Sequence, residues 1–269
     1  MKNENKIRVD LHNHTTLCNH ATGSVEEYVK RAIELGVDEY GFACHAPMNF
    51  DPKYRMKLEE RAIYELWVNE VKEKYKDKIK ILLGYEVDYL KGYMLDEILD
   101  AKVDYLIGSV HFLQNKNDMW GFDNPEFIGV YENIDIEKIW EDYFNTIKEM
   151  AKTNYFDIVG HLDLIKVFKF LPKKDIRLIA KDALKEIKKS NMVLEINPAG
   201  LRKPIGEPYP SKELLEEAFA LDIPITFGSD AHSVEQVGFG YETVIDFVKK
   251  IGYKKCVSFD KRDRKLIEF

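Results

Sequence analysis

Cysteine is scarce in this chain. Only Cys18, Cys44 and Cys256 occur in 269 residues, an odd number with no C-x-x-C spacing. That argues against a disulfide framework and against a cysteine zinc knuckle, and it leaves three free thiols. Long apolar runs are missing too, since none approaches the roughly 20 residues of a membrane span. The first residues, Met1 to Lys6, are polar and lack the apolar core of a signal peptide. The expectation is a cytoplasmic protein. Basic excess is also absent. The formal net charge of -7 makes long nucleic acid an unlikely main partner, because a phosphate backbone needs a basic face. Stretches such as Lys72 to Lys78 alternate in sign and read as solvated helix faces. No linker or internal repeat is visible, so residues 1–269 read as one domain.

What is present is an alternation of apolar strands and amphipathic helices. Hydrophobic residues make up 45% and charged residues 32% of the chain, as in soluble globular proteins. Strands are expected at Ile7–Leu11, Glu39–Cys44, Ile79–Val87, Tyr105–Val110, Ile158–Val159, Met192–Ile196 and Ile223–Phe227. Helices are expected at Ser24–Leu35, about Leu58–Tyr75, Leu95–Leu99, Asp135–Thr153, Asp175–Lys189, Ser211–Leu221 and about Tyr241–Ile251. Ser24 and Glu27 have capping-box spacing and Gly36 is a stop signal. Cys256–Phe259 reads as a final short strand or edge. Asn115 to Asn133 reads as one long irregular segment, a lid or binding loop. Seven β-α units in series require parallel strands. Near-continuous apolar strands favour a closed barrel. The fold class is therefore α/β, a distorted (β/α)7 TIM-like barrel, with its active site at the C-terminal ends of the strands.

The seven histidines are His12, His14, His20, His45, His111, His161 and His232. Each sits at, or a few residues after, the end of an expected strand, and none is in an expected helix. Those strand ends converge on one face of a barrel. His12 and His14, two apart at the end of the first strand, point to the same side. Glu86 and Asp230 end apolar runs in equivalent places, where an unpartnered charge is costly. Seven imidazoles and two carboxylates are too many for one zinc, which takes three or four protein ligands. They are about enough for three metals. Three divalent cations bring more positive charge than two carboxylates offset, and hydroxide and phosphate are anions that meet the difference. That points to metal-assisted phosphoester hydrolysis.

Taken together, Asp10-Leu11-His12-Asn13-His14, His20, His45, Glu86, Ser109-Val110-His111, Gly160-His161-Leu162-Asp163 and Asp230 with His232 resemble the PHP family, named for polymerase and histidinol phosphatase. The resemblance covers essentially the whole chain, and no ligand position is missing. The segment Glu195 to Pro204, leading to Pro208-Tyr209-Pro210, looks like the stand-alone phosphatase subgroup. The resemblance implies a trinuclear centre of three divalent metal ions, zinc, manganese or iron. In it His12, His14, Glu86 and Asp230 would hold one ion. Glu86 would bridge to a second, held by His111 and His161. His20, His45 and His232 would hold the third. It also implies a small phosphate monoester substrate, L-histidinol phosphate, attacked by a metal-bridging hydroxide.

Arg202 is the candidate phosphate clamp, with Lys203 a weaker one. Asp10 and Asp163 are candidates for orienting histidines or moving protons. The aromatics of the lid, Trp120 among them, are candidates for stacking on the leaving group. Two other readings are compatible with the metal chemistry. One is a PHP-type phosphoesterase or exonuclease acting on another ester or on nucleic acid ends. The other is a catalytically silent metal-binding regulatory module. The sequence assigns no oligomeric state.

Overall fold

The computed structural model describes residues 6–115 and 118–269. Met1 to Asn5, and Lys116 and Asn117 within the expected lid, lie outside the described residues. Strand β1 (Val9–Asp10) leads to helix α1 (Val25–Glu34), then β2 (Glu39–His45), α2 (Arg61–Tyr75), β3 (Lys80–Asp88), the one-turn α3 (Asp96–Leu99) and β4 (Tyr105–Ser109). A hairpin of β5 (Phe112–Asn115) and β6 (Asp118–Gly121) follows. After it come α4 (Ile136–Lys152), β7 (Ile158–Val159), α5 (Ile176–Lys189), β8 (Val193–Ile196), α6 (Lys212–Ala220), β9 (Ile225–Phe227) and α7 (Tyr241–Ile251). The chain ends in β10 (Lys255–Asp260) and β11 (Asp263–Glu268).

Seven parallel strands form one sheet in the order β1-β2-β3-β4-β7-β8-β9. Its two edges meet. Leu11 N donates to Phe227 O at 2.8 Å, Asp230 N to His12 O at 2.7 Å and His14 N to Ala231 O at 2.9 Å. The expected distorted seven-stranded barrel is the observed fold, nearly closed, and the bonds that close it lie between the two segments richest in candidate ligands.

Local sequence explains the elements. Ser24 Oγ accepts from Glu27 N while Glu27 Oε2 accepts from Ser24 N, so the capping box is formed at the start of α1. Gly36 ends that helix region with φ +69°, which costs glycine nothing. Inside the barrel, Tyr105 on β4 packs over Gly41 and Gly84. A Cβ on Gly41 would sit 2.1 Å from the Tyr105 hydroxyl, and one on Gly84 would sit 2.6 Å from its ring. That hydroxyl donates to Leu11 O at 2.6 Å, tying β4 to the strand that carries His12.

Two expectations need correction. Asn115–Asn133 is not one irregular lid. The β5–β6 hairpin occupies its start, and Pro125–Asn133 is a 3-10 segment whose N-cap, Asn124, accepts from Glu126 N. The short hairpin stands outside the barrel and lacks the long apolar alternation that marks a strand in sequence. The chain end is also a hairpin and not a single strand, with β10 antiparallel to β11. β11 shows no apolar alternation in sequence because Asp263-Arg264-Lys265-Leu266 is exposed. This hairpin packs on the barrel, with Phe259 5.7 Å from the Tyr105 ring. Among the described residues, no helix is long and apolar enough to cross a membrane.

Tyr105→Phe removes one buried hydrogen bond, worth about 1 kcal/mol net. In a domain of this size that should lower Tm by about 2–4 °C. A calorimetric Tm equal to that of the wild type would show that the Leu11 tie contributes nothing.

Candidate metal centre

Parallel register puts strand ends side by side, and the ligand candidates with them. His45 and Glu86 are register partners on β2 and β3. His12 and His14 follow β1, His111 lies two residues past β4, His161 follows β7, and Asp230 and His232 follow β9. His20 stands beyond the 3-10 turn Thr16–Cys18, with its Nδ1 2.8 Å from Cys18 O.

Glu86 is the hub, 1% exposed. His161 Nε2 lies 2.9 Å from its Oε1, and His111 Nε2 lies 3.6 Å from the same oxygen. His45 Nδ1, His12 Nε2 and His14 Nε2 lie 2.9, 3.4 and 3.8 Å from Oε2. A second group surrounds His14. Its Nε2 is 3.1 Å from Asp230 Oδ1. Its ring centroid is 3.9 Å from that of His232 and 4.5 Å from that of His45. His20 joins through His232, at 4.5 Å between centroids. The structure thus brings all nine predicted ligands into one cluster. Three-residue groups with ligand atoms within 4.8 Å of one another include His12, His14 and Glu86, then His45, Glu86 and His111, and also His14, His45 and His232. His45 therefore reaches the Glu86 side as well as the His232 side, where the resemblance placed it in the third set alone.

The donor set fits cations. His12 Nε2, His232 Nε2 and Glu86 Oε2 are buried without a hydrogen-bond partner, a costly arrangement unless an ion takes those lone pairs. Charge says the same. Burial disfavours charge on Glu86, yet His45, His12 and His111 hold its carboxyl well below the usual range. Burial opposes a proton on His12, but Glu195, Glu86 and Asp230 raise its pKa well above the ordinary 6.5. Against the same opposition, Asp88 and Glu86 push His111 up to about 10, and Asp230 helps push His14 up to about 9. Carboxylates this buried retain positive charge in the form of protons, and a divalent ion would replace those protons.

Two orienting carboxylates were missed in the sequence. His12 Nδ1 donates to Glu195 Oε1 at 2.6 Å, which turns Nε2 toward the cluster. Glu195 Oε2 also accepts from His161 N at 2.8 Å and from Asn197 Nδ2 at 3.1 Å. His111 Nδ1 pairs with Asp88, whose other oxygen accepts from Arg55 Nη1 at 2.6 Å. Both acids carried the signal that marked Glu86, a charge inside or ending an apolar strand.

Asp10 and Asp163 do not orient histidines directly. Among the described residues neither hydrogen-bonds an imidazole. Asp10 accepts from Ser229 N at 2.8 Å, Ser229 Oγ at 2.7 Å, Asn13 Nδ2 at 3.1 Å and Gly238 N at 3.2 Å. It therefore ties the turn before Asp230 to the residue between His12 and His14. Asp163 accepts from Ser211 N at 2.8 Å and faces Lys166 Nζ at 3.0 Å. It joins the loop after His161 to the start of α6. Arg202 donates to Ser229 O and Asp230 O and so holds the Asp230 turn. It also lines the cavity in front of the cluster, as does Lys203. Trp120 is not available for stacking on a ligand. It is 4% exposed and packs on Tyr131, with centroids 4.9 Å apart.

Backbone strain collects here too. His161 and Asp230 have φ of +21° and +53°, uncommon for residues with side chains. Such conformations persist where their surroundings over-determine them. Glu195 holds the His161 amide and His12 O holds the Asp230 amide. The cavity measures about 500 Å³, ample for a small ester.

Comparison with known proteins bears on this site. The family model described as PHP domain matches residues 10–199, and one described as PHP-associated matches residues 214–251. A probable histidinol-phosphatase of Deinococcus radiodurans is 36% identical over 262 residues, covering 96% of this chain and 97% of that protein. A histidinol-phosphatase of Bacillus subtilis is 31% identical, covering 88% and 98%. Among solved structures, histidinol phosphate phosphatase from Lactococcus lactis, complexed with zinc, L-histidinol and phosphate, superimposes with a TM-score of 0.79. It covers 96% of this chain and 98% of its own, and its 23% identity speaks to the fold.

Two substitutions test the orienting shell. Glu195→Gln keeps the volume and removes the charge behind His12. It should cost about 10- to 100-fold in metal affinity or activity. Gly228→Ala would place a Cβ 2.4 Å from both Glu195 Oε1 and His12 Cβ, and it should lower metal content as well. Elemental analysis of the purified variants decides the matter, and wild-type metal content in both would remove the orienting role.

Proposed function

The chain belongs to the PHP domain family, and from that premise we propose that it is a metal-dependent phosphatase that hydrolyses L-histidinol phosphate to L-histidinol and inorganic phosphate. The observation that carries the reading is the cluster of seven histidines, Glu86 and Asp230, with His12, His14, His161 and Glu86 buried at its base and the other five on the wall of one cavity. The 36% and 31% identical relatives, each matched over nearly its whole length, support the choice of substrate. The site holds three divalent ions, zinc, manganese or iron. Nine donors, more than one ion can take, and overlapping ligand groups built from them support several ions, and histidine-rich sites suit all three metals. When bound, such ions supply Lewis acidity toward phosphoryl oxygens and a hydroxide nucleophile near neutral pH.

The protein's own residues supply geometry and charge. Glu195 and Asp88 fix the tautomer and direction of His12 and His111, so those rings turn their Nε2 atoms inward. Glu86 joins the two halves of the cluster. Arg202, held against the Asp230 turn and stacked 5.2 Å from the Phe239 ring centroid, brings positive charge to the cavity wall for the phosphate. The cavity beyond it receives the alcohol half of the ester, behind walls that include Phe50, Phe112 and Phe127.

The purified protein, loaded with zinc, manganese or iron, should hydrolyse L-histidinol phosphate with kcat/KM of about 10⁴ M⁻¹s⁻¹ or more, far above its rate on p-nitrophenyl phosphate. Chelation should abolish turnover and lower Tm, because ions that bind only the folded state stabilise it. Equal weak rates on both esters would remove histidinol phosphate as the substrate.

Arg202→Ala should lower kcat/KM by at least about tenfold, the scale of losing one charged contact to a phosphoryl group. Arg202→Lys should restore part of the loss if charge matters, and none if the two carbonyl bonds to the Asp230 turn are the whole role. Unchanged kinetics in the alanine variant would end the clamp assignment.

A further inference from the structure

Five carboxylates line the cavity: Asp51, Glu86, Asp88, Asp123 and Asp230. Four have partners. Asp51 faces Arg55 at 3.5 Å. Glu86 and Asp230 face the imidazole cluster, and Asp88 is shared by His111 and Arg55. Asp123 alone among them has no hydrogen bond or ion pair from its carboxylate among the described residues. It is half-buried.

Its position is well defined. Phe122, on one side, is fully buried, its N–H donates to His111 O and its carbonyl accepts from Tyr131 Oη at 3.0 Å. Asn124, on the other side, caps the following 3-10 segment. Asp123 is thus held on a pinned turn, as a preorganised recognition residue should be. Its negative charge bears on both His111 and Tyr209, so it stands beside the metal-facing cluster without belonging to it. The Tyr209 hydroxyl, in the same wall, is buried without a partner. Nearby, Phe50 and Phe112 meet edge to face at 5.1 Å. An anionic phosphate goes to the cluster. What this wall lacks is a cation with apolar flanks.

We infer that Asp123 is the specificity residue of this site. Its carboxylate receives a positively charged nitrogen on the alcohol half of the ester and thereby selects cationic phosphate monoesters over neutral ones. The inference rests on the phosphomonoesterase reading of the site and deepens it. In L-histidinol phosphate the α-ammonium group is such a nitrogen, and the aromatic wall suits the ring beyond it.

The test compares wild type, Asp123→Asn and Asp123→Glu, each loaded with metal, on L-histidinol phosphate and p-nitrophenyl phosphate. Asp123→Asn should lose about 100-fold in kcat/KM on the cationic ester, the scale of leaving a partly buried charge unpaired. Most of the loss should fall in KM. It should change less than about threefold on the neutral ester and keep its metal content. Asp123→Glu should recover part of the loss. Calorimetry with L-histidinol itself should show binding weakened in step. Equal losses on both esters, a fall in metal content, or no loss on either would overturn the inference. A wild type that hydrolyses p-nitrophenyl phosphate but not L-histidinol phosphate sinks the substrate and not the residue. The pair 2-aminoethyl phosphate and ethyl phosphate then decides, with no preference for the amine overturning Asp123's role. A wild type that hydrolyses no ester overturns both.

Discussion

A carboxylate with almost no exposure to water must find polar partners, and Glu86 finds them in five imidazoles. His161, His111, His45, His12 and His14 all place a ring nitrogen within 4 Å of its two oxygens. The rings arrive from four strand ends, β1, β2, β4 and β7. They can meet only if the sheet curves round on itself, so the barrel and the cluster constrain each other. Glu86 without cations would be a buried charge facing the imidazoles of His12, His14 and His111, whose pKa values are raised. With cations it would be a ligand within reach of both halves of the cluster.

Support for that arrangement lies one layer out and is mostly made of buried acids. Glu195 reaches both the His12 ring and the His161 amide, and so couples β1 to β7 through β8. Asp10 does the same for the backbone. It holds the Ser229 turn against Asn13, which keeps Asp230 beside His14. Gly228 leaves the room these contacts need, since any Cβ there would strike both Glu195 and His12. The parts are therefore interdependent, and losses from substitutions in this layer should not add independently.

Much of this was legible in the chain before folding. The capping box at Ser24, the alternation of strands and helices, and the placement of every histidine after an expected strand pointed to a barrel with one metal-bearing face. The nine ligand candidates were named by residue type and by position after apolar runs. The orienting acids were harder to see. Glu195 and Asp88 obey the same rule as Glu86, but only a folded chain shows that their partners are ring Nδ1 atoms. Asp10 and Asp163 fit the rule equally well and turned out to hold backbone. Trp120 looked like a ligand-facing aromatic because sequence cannot tell which side of a short hairpin faces the core.

The sequence alone determined the kind of site and the kind of fold, because strand periodicity and the cost of burying polar groups are local properties. It determined which residues had to find partners. The tertiary structure decided which partners they found. Register set His45 beside Glu86, barrel closure brought β9 to β1, and the hairpin after β4 put Asp123, not Trp120, on the cavity wall. Those are distances between residues far apart in the chain, and no local pattern of apolar and charged positions contains them.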